Sequence, residues 1–515
     1  MQLPLHLKHR VGIIDLGSNS ARLMVAQYQP GEAYRITHEL SRRVRLSEGV
    51  GLDGGLRPAS MDRAIDTIRM FRAFCDAQAI THTVPVATAA VRDATNQVEF
   101  LRRLQEATRL RFRVLTGEEE AYFGVLGAIN GLGLPNGLVM DVGGGSAEVS
   151  RVRRSGFVQG QTTPLGALRL TEMFFESRDR AVKPAEIDRL KAHLAATWQG
   201  FPWLRLGLHE KFIGIGGTAR ALARIDREAR NYPFGLLHGY ELEMRRLDNL
   251  VERLSELPPD ERARKVPGLQ SDRSDIILAG AMVVAEAMRR AGADRLTVCG
   301  HGLREGLFFR EFLRPADPPV IPKLREFSVF NLGRLYGYEA EHATQVTRLA
   351  LSLFDQLSRR HGYGEEERDC LWAAGHLHDI GTLIDYYDHQ KHSAYIILSA
   401  GLPGYSHREI ALIAALCQNH RKGRPSLDHF KAVHQPNDLE RLNRLAALLR
   451  LAEYLDRSQA SAVASLKVGP AGRKTLQLSV RARAHANARV EIWEAQRNAE
   501  LFEEAYGVKL ALELA

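Results

Sequence analysis

VGIIDLGSNSARLMV at Val11–Val25 and LVMDVGGGSAEVSRV at Leu138–Val152 follow one plan. Each is an apolar run, then Asp, any residue, Gly, two residues, Ser, and a second apolar run. An apolar run broken by a small-residue turn and then resumed predicts a β-hairpin. The plan recurs once, far along the chain, which predicts a duplication across two domains rather than a short-period solenoid.

Outward from the two hairpins, strand and helix signals alternate. Met61–Gln78 has helical periodicity, TVPVATAAVR from Thr83 is strand-like, and FRVLTGEEEAYFGVLGAI from Phe112 passes from strand through turn into helix. KFIGIGGTARALARI (Lys211–Ile225) and DRLTVCGHGLREGLF (Asp294–Phe308) are each strand, Gly-rich turn, helix. Arg314–Pro322 holds four prolines in nine residues and reads as a linker. Beyond it long helical patterns run to about Asp456. TLQLSVRARA and ARVEIW then alternate like strands, and NAELFEEAYGVKL ends the chain as a helix-like piece. The predicted domains are residues 1–134, 135–313, 323–465 and 466–515.

The bulk numbers set bounds. The chain has 515 residues, 45% hydrophobic and 25% charged, which is ordinary globular composition. Four widely spaced cysteines and no CxxC pair exclude a disulfide framework and fit a reducing compartment. The N-terminus carries no long apolar stretch, and the apolar run Ile276–Met288 is too short to span a bilayer and contains Glu286. A cytoplasmic protein with no membrane association is expected. The net charge of +9 favours acidic partners. Lys467–Arg489 holds six Lys/Arg and no Asp or Glu, and no aromatic residue that would stack bases, so specific nucleic-acid binding is not expected.

Each hairpin turn puts a carboxylate at a strand end and then Gly, Ser and Asn, whose backbone N–H groups approach an anion closely. Ser18, Asn19 and Ser20 in the first turn, and Gly144, Gly145 and Ser146 in the second, are candidate phosphate ligands. The turn GIGGT adds Gly217 and Thr218. Three such turns suit an anion carrying several phosphates in a cleft between two domains.

DLGSNS, TAAVRDATN (Thr88–Asn96), TGEEEA (Thr116–Ala121), DVGGGSAE (Asp141–Glu148), IGGTARA (Ile215–Ala221), VPGLQSDRSDII (Val266–Ile277) and GLREG (Gly302–Gly306) stand in that order. Together they resemble the exopolyphosphatase/guanosine pentaphosphate phosphohydrolase family, over essentially the whole chain. The resemblance implies an α/β fold of duplicated ribonuclease-H-like domains of the actin-like ATPase superfamily, an all-α HD-like domain and a small α+β segment. It implies Mg²⁺-dependent, processive release of terminal phosphate from inorganic polyphosphate, with guanosine pentaphosphate as the alternative substrate, and a homodimer. A non-catalytic sensor of either anion is the reading from another class. The family's catalytic glutamate, the one before the Ala, falls on Glu120 as general base. Glu119 matches a family position but receives no proton-transfer role. Asp141 and Glu148 become metal ligands; Asp15 either shares the metal or orders its loop. Arg92 and Arg273 become phosphate contacts, since the guanidinium fork suits phosphate.

In the helical part, His342, His378-Asp379, His420 and Asp456 form the order H…HD…H…D, with His389 and His392 nearby. This resembles the HD phosphohydrolase superfamily and marks a second candidate metal site, since imidazole with carboxylate suits a divalent ion.

Overall fold

The computed structural model describes residues 5–50, 54–177, 179–470 and 474–515. Arg473 of the basic stretch therefore lies outside the described residues. Two compact units are present, one holding Leu7–Tyr232 and Leu236–Leu324 and the other built on Arg325–Ala515.

The larger unit contains the duplication. Strands β1 (His9–Leu16), β2 (Ser20–Gln29), β3 (Ala33–Arg43), β4 (Thr83–Ala87) and β5 (Arg113–Val114) form one sheet in the order β3-β2-β1-β4-β5. Strands β6 (Asn136–Val142), β7 (Ala147–Arg153), β8 (Gly156–Thr163), β9 (Lys211–Ile215), β10 (Tyr240–Glu243) and β11 (Arg295–Val298) form the second, in the order β10-β11-β9-β6-β7-β8. The first three strands of each sheet are an antiparallel meander; the fourth joins the first in parallel. Only the antiparallel edge strand β10 breaks the equivalence.

The two predicted hairpins are β1–β2 and β6–β7. Ile14, Leu16, Leu23 and Val25 share one core with Phe71 and Phe100, while Leu138, Met140, Val149 and Leu168 belong to another with Trp198. Both faces of these hairpins are apolar and buried, so the tight turn rather than burial of one face sets the register.

The run from Thr88 differs from the strand read there. Ala89–Arg92 is one helical turn after β4, which puts Arg92 at a helix end. The proline-rich segment is also no free linker. Asn130, in the helix Gly117–Leu132, donates from Nδ2 to the Pro319 carbonyl (3.0 Å) and accepts at Oδ1 from the Ile321 amide (2.7 Å).

The second unit packs the helices Ala340–Gln356, Glu365–Leu377, His389–Ala400, His407–Gln418 and Asp438–Tyr454. A small sheet follows, of β12 (Val463–Pro470), β13 (Thr475–Ala482) and β14 (Lys509–Leu514). ARVEIW, read as a strand, lies in the helix Arg489–Arg497. Its buried residues, with Ala488 before it, are Glu491 and Ala495, at helical spacing; Val490 and Trp493 face out. Glu491 tolerates burial because Ser458 donates to it from both hydroxyl and amide. Lys467, Lys474, Arg481, Arg483 and Arg489 are exposed. No helix among the described residues is long and apolar enough to cross a membrane.

Candidate active site

Both hairpin turns close in the same way. The Gly17 amide donates to the Ser20 carbonyl (3.2 Å), and the Gly143 amide to that of Ser146 (2.9 Å). The other turn carbonyls are engaged away from the turn. Asn19 accepts from the amides of Val44 and Arg45 (3.0 Å each), and Gly144 from those of Leu168 (2.9 Å) and Arg169 (3.1 Å). Backbone N–H groups of such Gly/Ser turns can cradle an anion. The two turns also meet: a Cβ on Gly144 would lie 3.1 Å from the Asn19 Cβ, so a side chain there would wedge them apart.

Between them lies a cavity of about 130 Å³. Asp15, Ser18, Asn19, Ser20, Asp141, Gly144, Ser146, Glu148, Gly217, Arg273 and Glu120 line it, so these predicted residues converge. Three other predicted ligands stand elsewhere. Gly145 lines a neighbouring hollow with Arg169 and Glu172. Thr218 is buried, and its hydroxyl donates to the Val142 carbonyl at 2.7 Å, which braces the second turn instead of facing the cavity. Arg92 stands behind Glu120 and is ion-paired to it, with a second bond to the Leu115 carbonyl (3.2 Å).

TGEEEA separates into three roles through the helix's 100° step per residue. Glu118 is exposed. Glu119 closes a capping box with Thr116, accepting from its amide at 3.0 Å while its own amide donates to the Thr116 hydroxyl at 3.1 Å. Glu120, the next residue, turns into the cavity. Burial, then the nearby Glu148 carboxylate, hold Glu120 well above the usual carboxylate range, with Arg92 pulling the other way.

The sequence reading missed three arginines, Arg22, Arg220 and Arg304, that line the cavity beside Arg273. Burial first, then repulsion among the arginines, lower Arg22 and Arg273 to about 10, and Arg220 is shifted the same way. For Arg304 burial opposes the charge, but Glu305 and Glu39 outweigh it and raise its pKa. Four gathered guanidinium groups are costly without compensating anions. Signals for them existed. Arg22 pairs with Asp15 across the first hairpin, and Arg220 and Arg304 sit inside IGGTARA and GLREG.

The metal question rests on the second hairpin. Asp141 pairs with Glu148 across β6–β7, and directly opposed residues share one face of the sheet. Burial first, then Asp141, push Glu148 up to about 8, while Ser146 donates to it at 2.6 Å. Burial also raises Asp141, opposed by Arg220 and Arg22. Gly216 permits this approach: its φ is +76°, and a Cβ there would collide with the Asp141 carboxylate. Two buried oxygen donors on one face, with Asp141 raising Glu148, fit a hard divalent cation such as Mg²⁺. Asp15 has a buried Oδ1 with no hydrogen-bond partner, and burial raises its pKa, opposed first by Arg22.

In the helical unit, His342, His378, Asp379 and His420 come together. His389 joins them and His392 does not. Asp456 departs from the predicted ligand set: its carboxylate meets the rear nitrogen of His342, Nδ1, at 2.8 Å, and Glu453 takes the forward place.

A duplicated α/β fold with paired anion-cradling turns, gathered arginines and a buried carboxylate defines a phosphate-handling enzyme. The sequence model of the Ppx/GppA phosphatase family matches residues 24–315, and that of Ppx/GppA phosphatase domain III matches residues 324–499. The chain belongs to the Ppx/GppA phosphatase family. Among solved structures it resembles the Aquifex aeolicus member of that family at 28% identity, over 59% of this chain and 97% of the other, with a TM-score of 0.51. An exopolyphosphatase from Cytophaga hutchinsonii shares the fold at 22% identity, over 59% and 98%, with a TM-score of 0.54.

Proposed function

We propose that this phosphatase is an exopolyphosphatase, removing terminal orthophosphate from inorganic polyphosphate in repeated, Mg²⁺-dependent steps. The observation that carries the reading is the cavity itself, which brings Arg22, Arg220, Arg273 and Arg304, both turns, and the carboxylates of Asp15, Glu120, Asp141, Glu148 and Glu305 to the volume of a phosphate or two. None of the residues lining it is aromatic, so it offers a phosphate chain charge and hydrogen bonds and a nucleobase nothing to stack on.

The terminal phosphate sits against the two turns, its charge offset by the arginines. Glu120 accepts a proton from water as the water oxygen bonds to phosphorus. The bond from phosphorus to the bridging oxygen breaks, and the shortened chain keeps that oxygen. Arg92 is a positioning residue: its ion pair aims the Glu120 carboxylate and favours the ionised form that accepts the proton. Asp141 and Glu148 would hold Mg²⁺, which supplies charge neutralisation at the phosphate oxygens.

The test is Glu120→Gln. Loss of the general base should lower kcat for phosphate release about 10²- to 10⁴-fold while polyphosphate binding persists. Unchanged release would refute the mechanism. Turnover of guanosine pentaphosphate without release from long polyphosphate would refute the substrate.

A further inference from the structure

The segment that follows β3 fastens the first hairpin turn. The Val44 and Arg45 amides donate to the Asn19 carbonyl at 3.0 Å each, and the Ser47 amide to the Ser18 carbonyl at 3.3 Å. In this contact Arg45 has φ +44°, a left-handed conformation that few residues other than Gly, Asn and Asp adopt. Strain of that kind persists only where the surroundings over-determine it. Here they do. Arg63, from the helix Pro58–Ala77, donates to the Val44 carbonyl at 3.2 Å and to Glu48 at 3.0 Å, and the Glu48 amide donates to the Arg45 carbonyl at 3.0 Å.

The Arg45 side chain leaves this turn and crosses to the other half of the duplication. Val44 and Leu46 belong to the first core, whereas Leu269 and Ile276 belong to the second. Between those cores the Arg45 guanidinium is ion-paired to Asp275, 230 residues away in sequence, and it also pairs with Glu48 at 3.2 Å. The side chains of Arg45 and Asp275 are 10% and 12% exposed, so the pair is largely out of water. Arg43 adds a longer contact to Asp275, at 3.4 Å, from a more exposed position. A surface pair contributes little, but a buried pair resists separation, since either partner alone is an uncompensated charge.

Asp275 stands two residues beyond Arg273, which lines the cavity. The loop between them is anchored within its own half. Arg262, fully buried in the helix Pro259–Lys265, donates from Nη1 to the Ser274 carbonyl at 3.0 Å and from Nε to the Leu254 carbonyl at 2.9 Å. Arg273 rests on the third glycine-rich turn, where a Cβ on Gly217 would collide with its guanidinium. One chain of contacts therefore runs from the Asn19 turn through Arg45 and Asp275 to Arg273 and the Gly217 turn. Neither Arg45 nor Asp275 lines the cavity.

We propose that Arg45 is a positioning residue for phosphate: its ion pair with Asp275 sets the separation between the Asn19 turn and Arg273, so that both reach one anion. This rests on the reading of the cavity as the site of phosphate release. A turn from one half and an arginine from the other share an anion only when the cleft between them has a fixed width. The pair spans that width, with an over-determined backbone at one end and a buried arginine supporting the loop at the other. A separation set in advance removes the ordering that phosphate would otherwise have to impose on binding.

Steady-state release of phosphate from polyphosphate by the full chain tests it. Arg45→Met and Asp275→Asn should each raise KM about 10-fold. Their kcat should change less than about threefold, since binding weakens while the reacting groups stay. The double variant should also stand about 10-fold above the wild type rather than about 100-fold, because both changes remove one interaction. Arg45→Met should add less than about twofold to the KM of Arg273→Met, through which it acts. Arg43→Met, which removes only the longer and more exposed contact, should stay within about twofold. Asp275→Asn preserves the shape of the loop and carries the test if Arg45→Met does not fold. Unchanged KM in Asp275→Asn, with release abolished in Glu120→Gln, would overturn the coupling and leave the cavity reading standing. A rise of about 100-fold in the double variant would also overturn it, since separate interactions add. Undiminished release in Glu120→Gln would bring down the cavity reading and the coupling with it.

Discussion

The β1–β2 and β6–β7 hairpins close the same turn, yet across the sheet they face their aspartates with opposite charges. Asp15 pairs with Arg22, and Asp141 pairs with Glu148. The first sets a carboxylate opposite a guanidinium, and burial raises the one and lowers the other. The second concentrates two carboxylates that burial forces up, a charge that a proton or a cation relieves. Under the proposed function, a duplicated scaffold divides the labour of phosphoryl transfer, anion-holding on one side and cation-holding on the other, through one side chain at equivalent positions.

The strongest attempt to break this division makes the second hairpin like the first. Glu148→Arg should remove the cation site and cost several kcal/mol of transition-state stabilisation, about 10³-fold in kcat, with no rescue by excess Mg²⁺. A variant that retained Mg²⁺-dependent turnover would mean the carboxylates of the second hairpin do not hold the metal.

Next comes the opposite side. Arg22→Met removes one charge-assisted contact to phosphate, about 1.5–3 kcal/mol, so KM should rise about 10- to 100-fold. The Mg²⁺ concentration for half-maximal rate should stay where it is. Steady-state kinetics over a matrix of substrate and Mg²⁺ concentrations reads both quantities. A shift confined to the Mg²⁺ requirement would reverse the roles given to the hairpins.

Acidity supplies a subtler test. Glu148 stands at about 8 in the folded chain against an ordinary 4.5. The folded state therefore binds a proton that the unfolded chain gives up at lower pH. The resulting stability is fully present below about 4.5 and is lost as pH rises through about 8. In EDTA, Tm of the wild type should fall more steeply across that window than Tm of Glu148→Gln, and Mg²⁺ should close the gap at the alkaline end. Parallel melting curves for the two chains would show that Glu148 is not held protonated.

The hairpins were legible in the sequence because their information is local. Asp-to-Ser spacing and flanking apolar runs specify turn, strands and register together. Glu120 was reachable only through its family motif, since the capping box explains Glu119 and the chain alone does not say which of three glutamates turns inward. Arg22 was legible in principle from hairpin register, but Arg220 and Arg304 needed the fold to bring distant helix starts together. Thr218 misled because a hydroxyl in a Gly-rich turn suits phosphate as well as it suits a carbonyl. Glu453 stayed hidden because the HD spacing favours Asp456, and only the direction of each imidazole nitrogen separates the two.

The smallest expected effect concerns that misleading residue. Thr218→Val keeps the shape and removes the hydroxyl that donates to the Val142 carbonyl. Losing a buried hydrogen bond costs about 1 kcal/mol, so Tm should fall by about 2–4 °C for a domain of this size. KM for polyphosphate should move less than about twofold, because the hydroxyl supports the second turn from behind. A tenfold rise in KM at constant Tm would instead put Thr218 on the phosphate. The cradle would then have three arms, and the division between two hairpins would need a third partner.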